Sequence, residues 1–511
     1  MNLSSPLCYS RRRNPLTTYE AYKPLRNRIA RLPLERSFEW LWALSQHLFN
    51  NAPLPQTILL PGGLPIKGNF HPWELTLLAR EIVLHAAPSG TADLGRTRDL
   101  VDVINSIRRV DEAVAKEHLQ PSQVFAELHR IAHRQFPLQQ RRDPAVIMRY
   151  LKIFGERDVD AVLARETGLT IRQLYFMGLA VAGHLAKYPG INAHQDYSSF
   201  GIGAEPRATF FSKMGIDIKT LRERTRAAQH YDDRWAYTWN PLEATPLVAL
   251  NPQAPHLLHC PIPALLLQRI SRGVFYDLIK AVDFDNPYGR AYQAYVGMVI
   301  REVFAGRSLV LVDEEEYKVG RHIHHGVDWI FTDGSANVFV ECKTKRLRHD
   351  AKVAIDGAVL DGQLAIMAEA VVQLYRNIED ALAGRTNWRP NGLPVYPLVA
   401  TLEDWCLFSP VMVERLETMI RNRLADAGVD ERVLETMPYT IASIEEFEIA
   451  GQAIARTGIQ RFFSCKTSVE HRSVMLLPFV HWRFSDALES ATNLLFKQDW
   501  ERFLPEIANL Q

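Results

Sequence analysis

The sequence predicts two unlike halves: a mainly α-helical N-terminal region and a C-terminal α/β core, in which a mixed sheet is flanked by helices. Three observations carry that expectation. From Ser37 to about Lys187 apolar residues recur at three- and four-residue spacing, the period of a helix face. Between 231 and 263 the aromatics Tyr231, Trp235, Tyr237 and Trp239 lead into Pro241, Pro246, Pro252, Pro255, Pro261 and Pro263, which exclude a long helix and mark a connection. From Ala264 the order of patterns is α-β-β-β-α-β. The expected units are therefore 1–230, 231–263 and 264–511.

Composition narrows the function classes. A chain of 511 residues has room for about two to four domains. Its 59 basic and 58 acidic side chains leave a net charge of +1, so any grip on nucleic acid must come from a local patch. The five cysteines (Cys8, Cys260, Cys342, Cys406, Cys465) are scattered, without Cys-x-x-Cys, which fits a reducing, cytoplasmic compartment and no structural zinc. Arg11-Arg12-Arg13 is not followed by an apolar core, and no apolar run reaches about 18 residues, so neither signal peptide nor membrane span is expected.

In the N-terminal half, residues 1–40 carry eight basic side chains against Glu20, Glu35 and Glu39, read as a solvated terminus. Helices are expected around Phe38–Leu44, Trp73–Ala87, Leu100–Glu117 and Pro121–Gln135, with Trp40 and Trp73 in the core. Breaks fall at Pro61-Gly62-Gly63, Pro88-Ser89-Gly90 and Arg141-Arg142-Asp143-Pro144. Residues 161–178 have helix-turn-helix spacing (Ala164, Gly168, Thr170, Leu174), which would set Thr170, Arg172 and Gln173 at the start of a recognition helix. The apolar continuation from Phe176 favours a packed helical hairpin instead.

Within the connection Leu247–Leu250 reads as a short strand; in the C-terminal half Arg290–Phe304 reads as an amphipathic helix. Ser308–Val319 reads as the first core strand, and His322 and His324 share a face just before the next. A zinc reading of these histidines lacks further ligands, and exposed strand-entry residues are expected. After a basic run come a long helix over 362–383, a loop over Gly384–Pro394, a strand over Val395–Thr401, a helix over Val411–Ala427 and a fifth strand at Tyr439–Ala442. Helices with Trp482 and Trp500 close the chain.

The chemistry gathers at 326–345. Val327–Thr332 and Asn337–Thr344 are β-rich runs around an Asp333-Gly334 turn signal, which reads as a hairpin. Glu341 and Lys343 share one strand face. If Thr332 pairs with Asn337 across a four-residue loop, Asp328 lies opposite Glu341. A two-residue loop keeps both acids on one face; a three-residue loop separates them. Opposed, the two sit about 5 Å apart between Cβ atoms and repel unless a cation lies between them. Hard oxygen donors with open positions suit Mg²⁺ or Mn²⁺, and a neighbouring Lys can orient or deprotonate the attacking water. A bare Glu-x-Lys should occur roughly once by chance in such a chain. A second copy, Glu316-Tyr317-Lys318, follows Asp313-Glu314-Glu315 and reads as a solvated strand or turn.

Asp328-x₁₂-Glu341-x-Lys343 across a hairpin resembles the PD-(D/E)xK phosphodiesterase superfamily, the restriction-endonuclease-like nucleases. The resemblance spans roughly 280–405, with Val327 where the family name has Pro. It implies that Asp328 and Glu341 hold the metal, that the Cys342 carbonyl joins them, and that Lys343 serves the water. Many members place a metal-binding Glu on the preceding helix, in a pattern like Gly-x-x-aromatic-Glu-x-Tyr. Here Gly289-Arg-Ala-Tyr-Gln293-Ala-Tyr puts Gln293 at that position, with Glu302 in reserve. The run Lys345, Arg346, Arg348 leaves the site edge where a scissile strand would lie and is assigned to nucleic-acid contact. In some branches Gln-x-x-x-Tyr opens the next helix; Gln363 is followed by Met367.

The expected function is Mg²⁺- or Mn²⁺-dependent hydrolysis of phosphodiester bonds, in DNA before RNA. The helical half is expected to serve a protein partner or a homo-oligomer. A single-chain nuclease with a large accessory half resembles bacterial DNA-processing or anti-phage defence proteins. The alternatives are an RNA or tRNA nuclease, or a non-catalytic nuclease-like module that binds nucleic acid.

Overall fold

The computed structural model describes residues 17–508 apart from 57, 117–122, 140–142, 199–200 and 355–356. Arg11–Arg13, Arg141 and Arg142 lie outside the described residues.

The C-terminal α/β core is numbered here in its own chain order. Helix α1 (Asp285–Val303) leads into β1 (Val310–Asp313), β2 (Glu316–Val319), β3 (His322–His325), β4 (Trp329–Thr332) and β5 (Asn337–Lys343). Helix α2 (Gly357–Leu382), β6 (Val395–Thr401), α3 (Pro410–Ala427), β7 (Thr440–Ser443) and α4 (Ile444–Thr457) follow. Five strands form one mixed sheet in the order β7-β6-β5-β4-β1. The ladders at β4 are antiparallel, while β5–β6 and β6–β7 are parallel. All seven residues of β6 are buried, as an inner strand covered on both faces requires.

Helices cover both faces. Phe331, Val338, Val340 and Leu398 pack with residues of α1 and α4, whereas Ile330, Phe339 and Val399 pack with residues of α2 and α3. Helix α2 is apolar and long enough to cross a membrane by composition (mean hydropathy 1.3 over 18 residues), but half of that stretch is buried within the protein.

The expected single strand over 308–319 is in fact two. Only Val310–Asp313 joins the sheet; Glu316–Val319 turns away and pairs with His322–His325 as a separate hairpin. The amide of Gly326 donates to the Glu315 carbonyl at 2.9 Å and closes the neck of that insertion. An Asp-Glu-Glu sequence repels itself and offers no apolar face, which is where the strand breaks.

The helical half contains Leu34–Asn50, Pro72–His85, Thr97–Lys116 and Val124–Gln139. Trp40 is core, but Trp73 is half-exposed and stacks on His71. Arg157–Thr167 and Ile171–Leu185 form a packed hairpin whose second helix buries Ile171, Leu174, Tyr175, Met177 and Val181. Thr170 and Gln173 cap that helix rather than face a groove.

The hydrophobic cores do not divide at 231–263. One core joins Ile147–Met214 to the sheet and to α1 and α4; another joins Ala21–Val114 to Leu221, Trp235, Leu242, Val248 and Leu265. Across the expected boundary, Arg149 makes two hydrogen bonds to Glu448 on α4, of 2.7 and 2.8 Å.

Candidate metal centre

The hairpin adopts the four-residue loop, with Thr332 opposite Asn337 and Trp329 opposite Val340. Asp333 holds the loop by accepting from the Ser335 amide at 2.9 Å and from the Ile459 amide at 2.9 Å. Gly334 sits at φ 89°, a conformation that costs glycine little. The ladder ends at Trp329, and the Asp328 carboxylate, one residue before it, lies beside Glu341, whose charge acts on it.

Asp328 Oδ2 accepts the Cys342 amide proton at 2.5 Å. Lys343 Nζ donates to Glu341 Oε1 at 2.6 Å and to Gln373 Oε1, on α2, at 3.2 Å. The Lys343 carbonyl accepts from Leu402, on the β6 side. Carbonyls alternate along a strand, so the Cys342 carbonyl points to the opposite edge, where Asp328 lies. The Cys342 side chain packs into the α1 face, so its contribution here is backbone only.

Burial, then the Glu341 charge, pushes Asp328 well above the ordinary carboxylate range. Burial likewise raises Glu341. Burial alone would depress Lys343, but the charge and hydrogen bond of Glu341 outweigh it and raise it. Lys343 is therefore a protonated ammonium at neutral pH. A half-buried and a buried carboxylate side by side near a backbone carbonyl fit a hard divalent cation that keeps several waters. Among the described residues no three His, Cys, Asp or Glu side chains converge closely enough to hold an ion alone.

The two helix candidates separate clearly. Gln293 lies at the site edge: its carbonyl accepts from Trp329 Nε1 at 2.8 Å and its amide donates to Glu314 Oε2 at 3.1 Å. Glu302 is exposed, nine residues along the helix. That puts it about 13 Å away along the axis.

The basic run also separates. Lys345 is exposed, and Arg348 is exposed and paired with Asp350 at 2.6 Å. Arg346, expected at the surface, is buried. Its guanidinium meets Glu403 at 3.1 Å, the Arg272 carbonyl at 3.0 Å, the Tyr288 hydroxyl at 3.2 Å and the Phe275 ring face at 4.1 Å. Burial would lower its pKa, yet Glu403 raises it. Arg346 is a buried anchor for the chain leaving Lys343, not a phosphate contact. His322 is exposed and His324 stacks on Tyr317.

Two neighbours escaped the sequence reading. Gln373 reaches Lys343 from a helix thirty residues on, and no local spacing pointed to it. Glu314, which the sequence reading assigns no role, touches Gln293; the break in the apolar alternation after Val312 is its only local signal. No protein-family model, curated protein or solved structure matches the chain.

Proposed function

We propose that the protein is a Mg²⁺- or Mn²⁺-dependent nuclease that hydrolyses phosphodiester bonds, in DNA before RNA. The observation that carries this reading is the Asp328 carboxylate held on the Cys342 amide beside Glu341, with Lys343 Nζ 2.6 Å from the second acid. One ammonium beside two ionised acids leaves a net negative charge in a poorly solvated place, which a bound cation would offset. Asp328, Glu341 and the Cys342 carbonyl would hold the cation. When bound, the cation neutralises charge developing on the phosphate and acidifies water. Because Lys343 is protonated, it donates rather than accepts: it orients the attacking water and offsets charge on the phosphate oxygens. Gln373 keeps the ammonium at the site when Glu341 turns to the cation. Lys345 and Arg348 are left as the exposed cations for the strand leaving the site.

A second reading, a nuclease-like module that binds without cutting, is favoured by Gln293, which brings no charge from α1. The experiment that separates them incubates the full chain with plasmid, single-stranded DNA and tRNA, with Mg²⁺, Mn²⁺ or EDTA. The nuclease reading expects metal-dependent cleavage of at least one substrate and none by Asp328→Ala or Glu341→Ala. Absence of cleavage by the wild-type chain across all three substrates would favour the binding module.

A further inference from the structure

The row of acids across the sheet has a third member. The β1–β4 ladder ends where Asp313 pairs with Trp329, and Glu314, the next residue, lies near enough for its charge to act on both Asp328 and Glu341. Glu341, near the end of β5, acts on Asp328 more strongly still. Asp328 thus has two carboxylates for neighbours. Glu314 is also held from outside the row. Gln293 Nε2 donates to its Oε2 at 3.1 Å, and the exposed His325 Nδ1 lies 3.4 Å from its Oε1. The Gln293 amide brings no charge, and His325 brings one only when protonated. Gln293 is itself fixed, because its carbonyl accepts from Trp329, the residue next to Asp328.

We infer that Glu314 is the third carboxylate of the cation site, receiving a water of the bound ion rather than the ion itself, and that Gln293 is its positioning residue. This rests on the metal-dependent reading of Asp328 and Glu341. The water-mediated role follows from two facts. Among the described residues no three acidic side chains converge on one point, and neighbouring strands are about 4.8 Å apart, which leaves Glu314 one shell out. Mg²⁺ and Mn²⁺ sites of few carboxylates keep several waters, and those waters need acceptors. The helix side chain thus contributes by aiming an acid that another strand supplies.

The test is a calorimetric titration of Mn²⁺ into the full chain without nucleic acid, with thermal melts in EDTA as a folding check. Glu314→Gln keeps an acceptor for the Gln293 amide and removes the charge. It should bind Mn²⁺ about 10-fold or more weakly, the usual scale for an outer partner of a metal site. Its EDTA melt should lie at or above that of the wild type, since one of three like charges has gone. Gln293→Ala should weaken Mn²⁺ by a smaller factor, because the acid stays but is no longer aimed. Glu316→Gln, an exposed acid on the adjoining hairpin, should change nothing. If Glu314→Gln binds Mn²⁺ like the wild type while Asp328→Asn has lost it, Glu314 is excluded and the metal reading stands. If wild type and Asp328→Asn behave alike, the metal reading itself is overturned, and Glu314 with it.

Discussion

Asp328 has two carboxylates for neighbours and little water, so without a cation it holds its proton to higher pH than in the unfolded chain. The sign of the stability effect follows. Over the window from the unfolded value near 4 up to the raised native value, the folded protein binds more protons than the unfolded one. Metal-free stability should therefore fall as pH rises through that window. Melts in EDTA at a series of pH values should show the fall in the wild type and a flatter profile in Asp328→Asn; equal slopes would contradict the burial of this pair. Added Mn²⁺ should stabilise most at the alkaline end, where both acids are ionised. Arg346 and Lys345 make the opposite pair of expectations. Arg346→Ala strands Glu403, whose burial-raised pKa is outweighed by Arg346 and Lys352 and held down to about 2. It should cost about 3–5 kcal/mol in denaturant unfolding. Lys345→Ala should leave stability within about 0.5 kcal/mol and weaken nucleic-acid binding at low salt. At this scale the acids were legible because a hairpin register is local. The role of Arg346 was not, because Arg272, Tyr288 and Glu403 come from three other places in the chain.

Helix α1 lies close against the Trp329 ring of β4. A methyl group on Gly297 would fall on the ring carbons of Trp329, so this glycine is what allows the helix to lie against the strand. Gly297→Ala should destabilise by about 1–3 kcal/mol, the usual range for overpacking. Because Trp329 also fixes the Gln293 carbonyl, Mn²⁺ affinity should fall with stability. Wild-type unfolding in that variant would mean the helix does not sit on the strand as described. The sequence marked Asn337–Thr344 and Val395–Thr401 as strands well, because an inner strand writes itself as a continuous apolar run. It did not mark the insertion of Glu316–His325, where β-compatible residues continue across a break in the sheet. Pairing partners, rather than propensity, decide such a segment.

At the scale of the whole molecule, residues 147–214 of the helical region share one hydrophobic core with the sheet. Arg149 is buried between Glu448 and Glu445, and Phe154 stacks on Tyr288 at 5.5 Å. Arg149→Ala should cost about 3–5 kcal/mol, since it strips the buried Glu448 of its guanidinium, while Glu445 keeps Arg272 at 2.9 Å. Residues 264–511 expressed alone should expose the face that Ile147–Met214 covers, and should fail to unfold cooperatively. A fragment that melts cooperatively and binds Mn²⁺ would show that the shared core is dispensable. The boundary at 231–263 was drawn from prolines, which do end helices. Prolines say nothing about which helices later share a core, and that information lies in contacts far apart in sequence.

Binding and chemistry part company at Lys343, and the central claim is most exposed there. The direct measurement is the single-turnover cleavage rate of Lys343→Ala at saturating Mn²⁺, on whichever substrate the wild type cuts. Lys343 is not a ligand, so Mn²⁺ affinity should equal or slightly exceed that of the wild type once a like charge beside the cation has gone. The rate should nevertheless fall about 10²-fold or more, the scale for losing one electrostatic contributor at a reacting centre. A Lys343→Ala protein that cuts at the wild-type rate would contradict the account, because the ammonium at Glu341 would then have no part in the reaction.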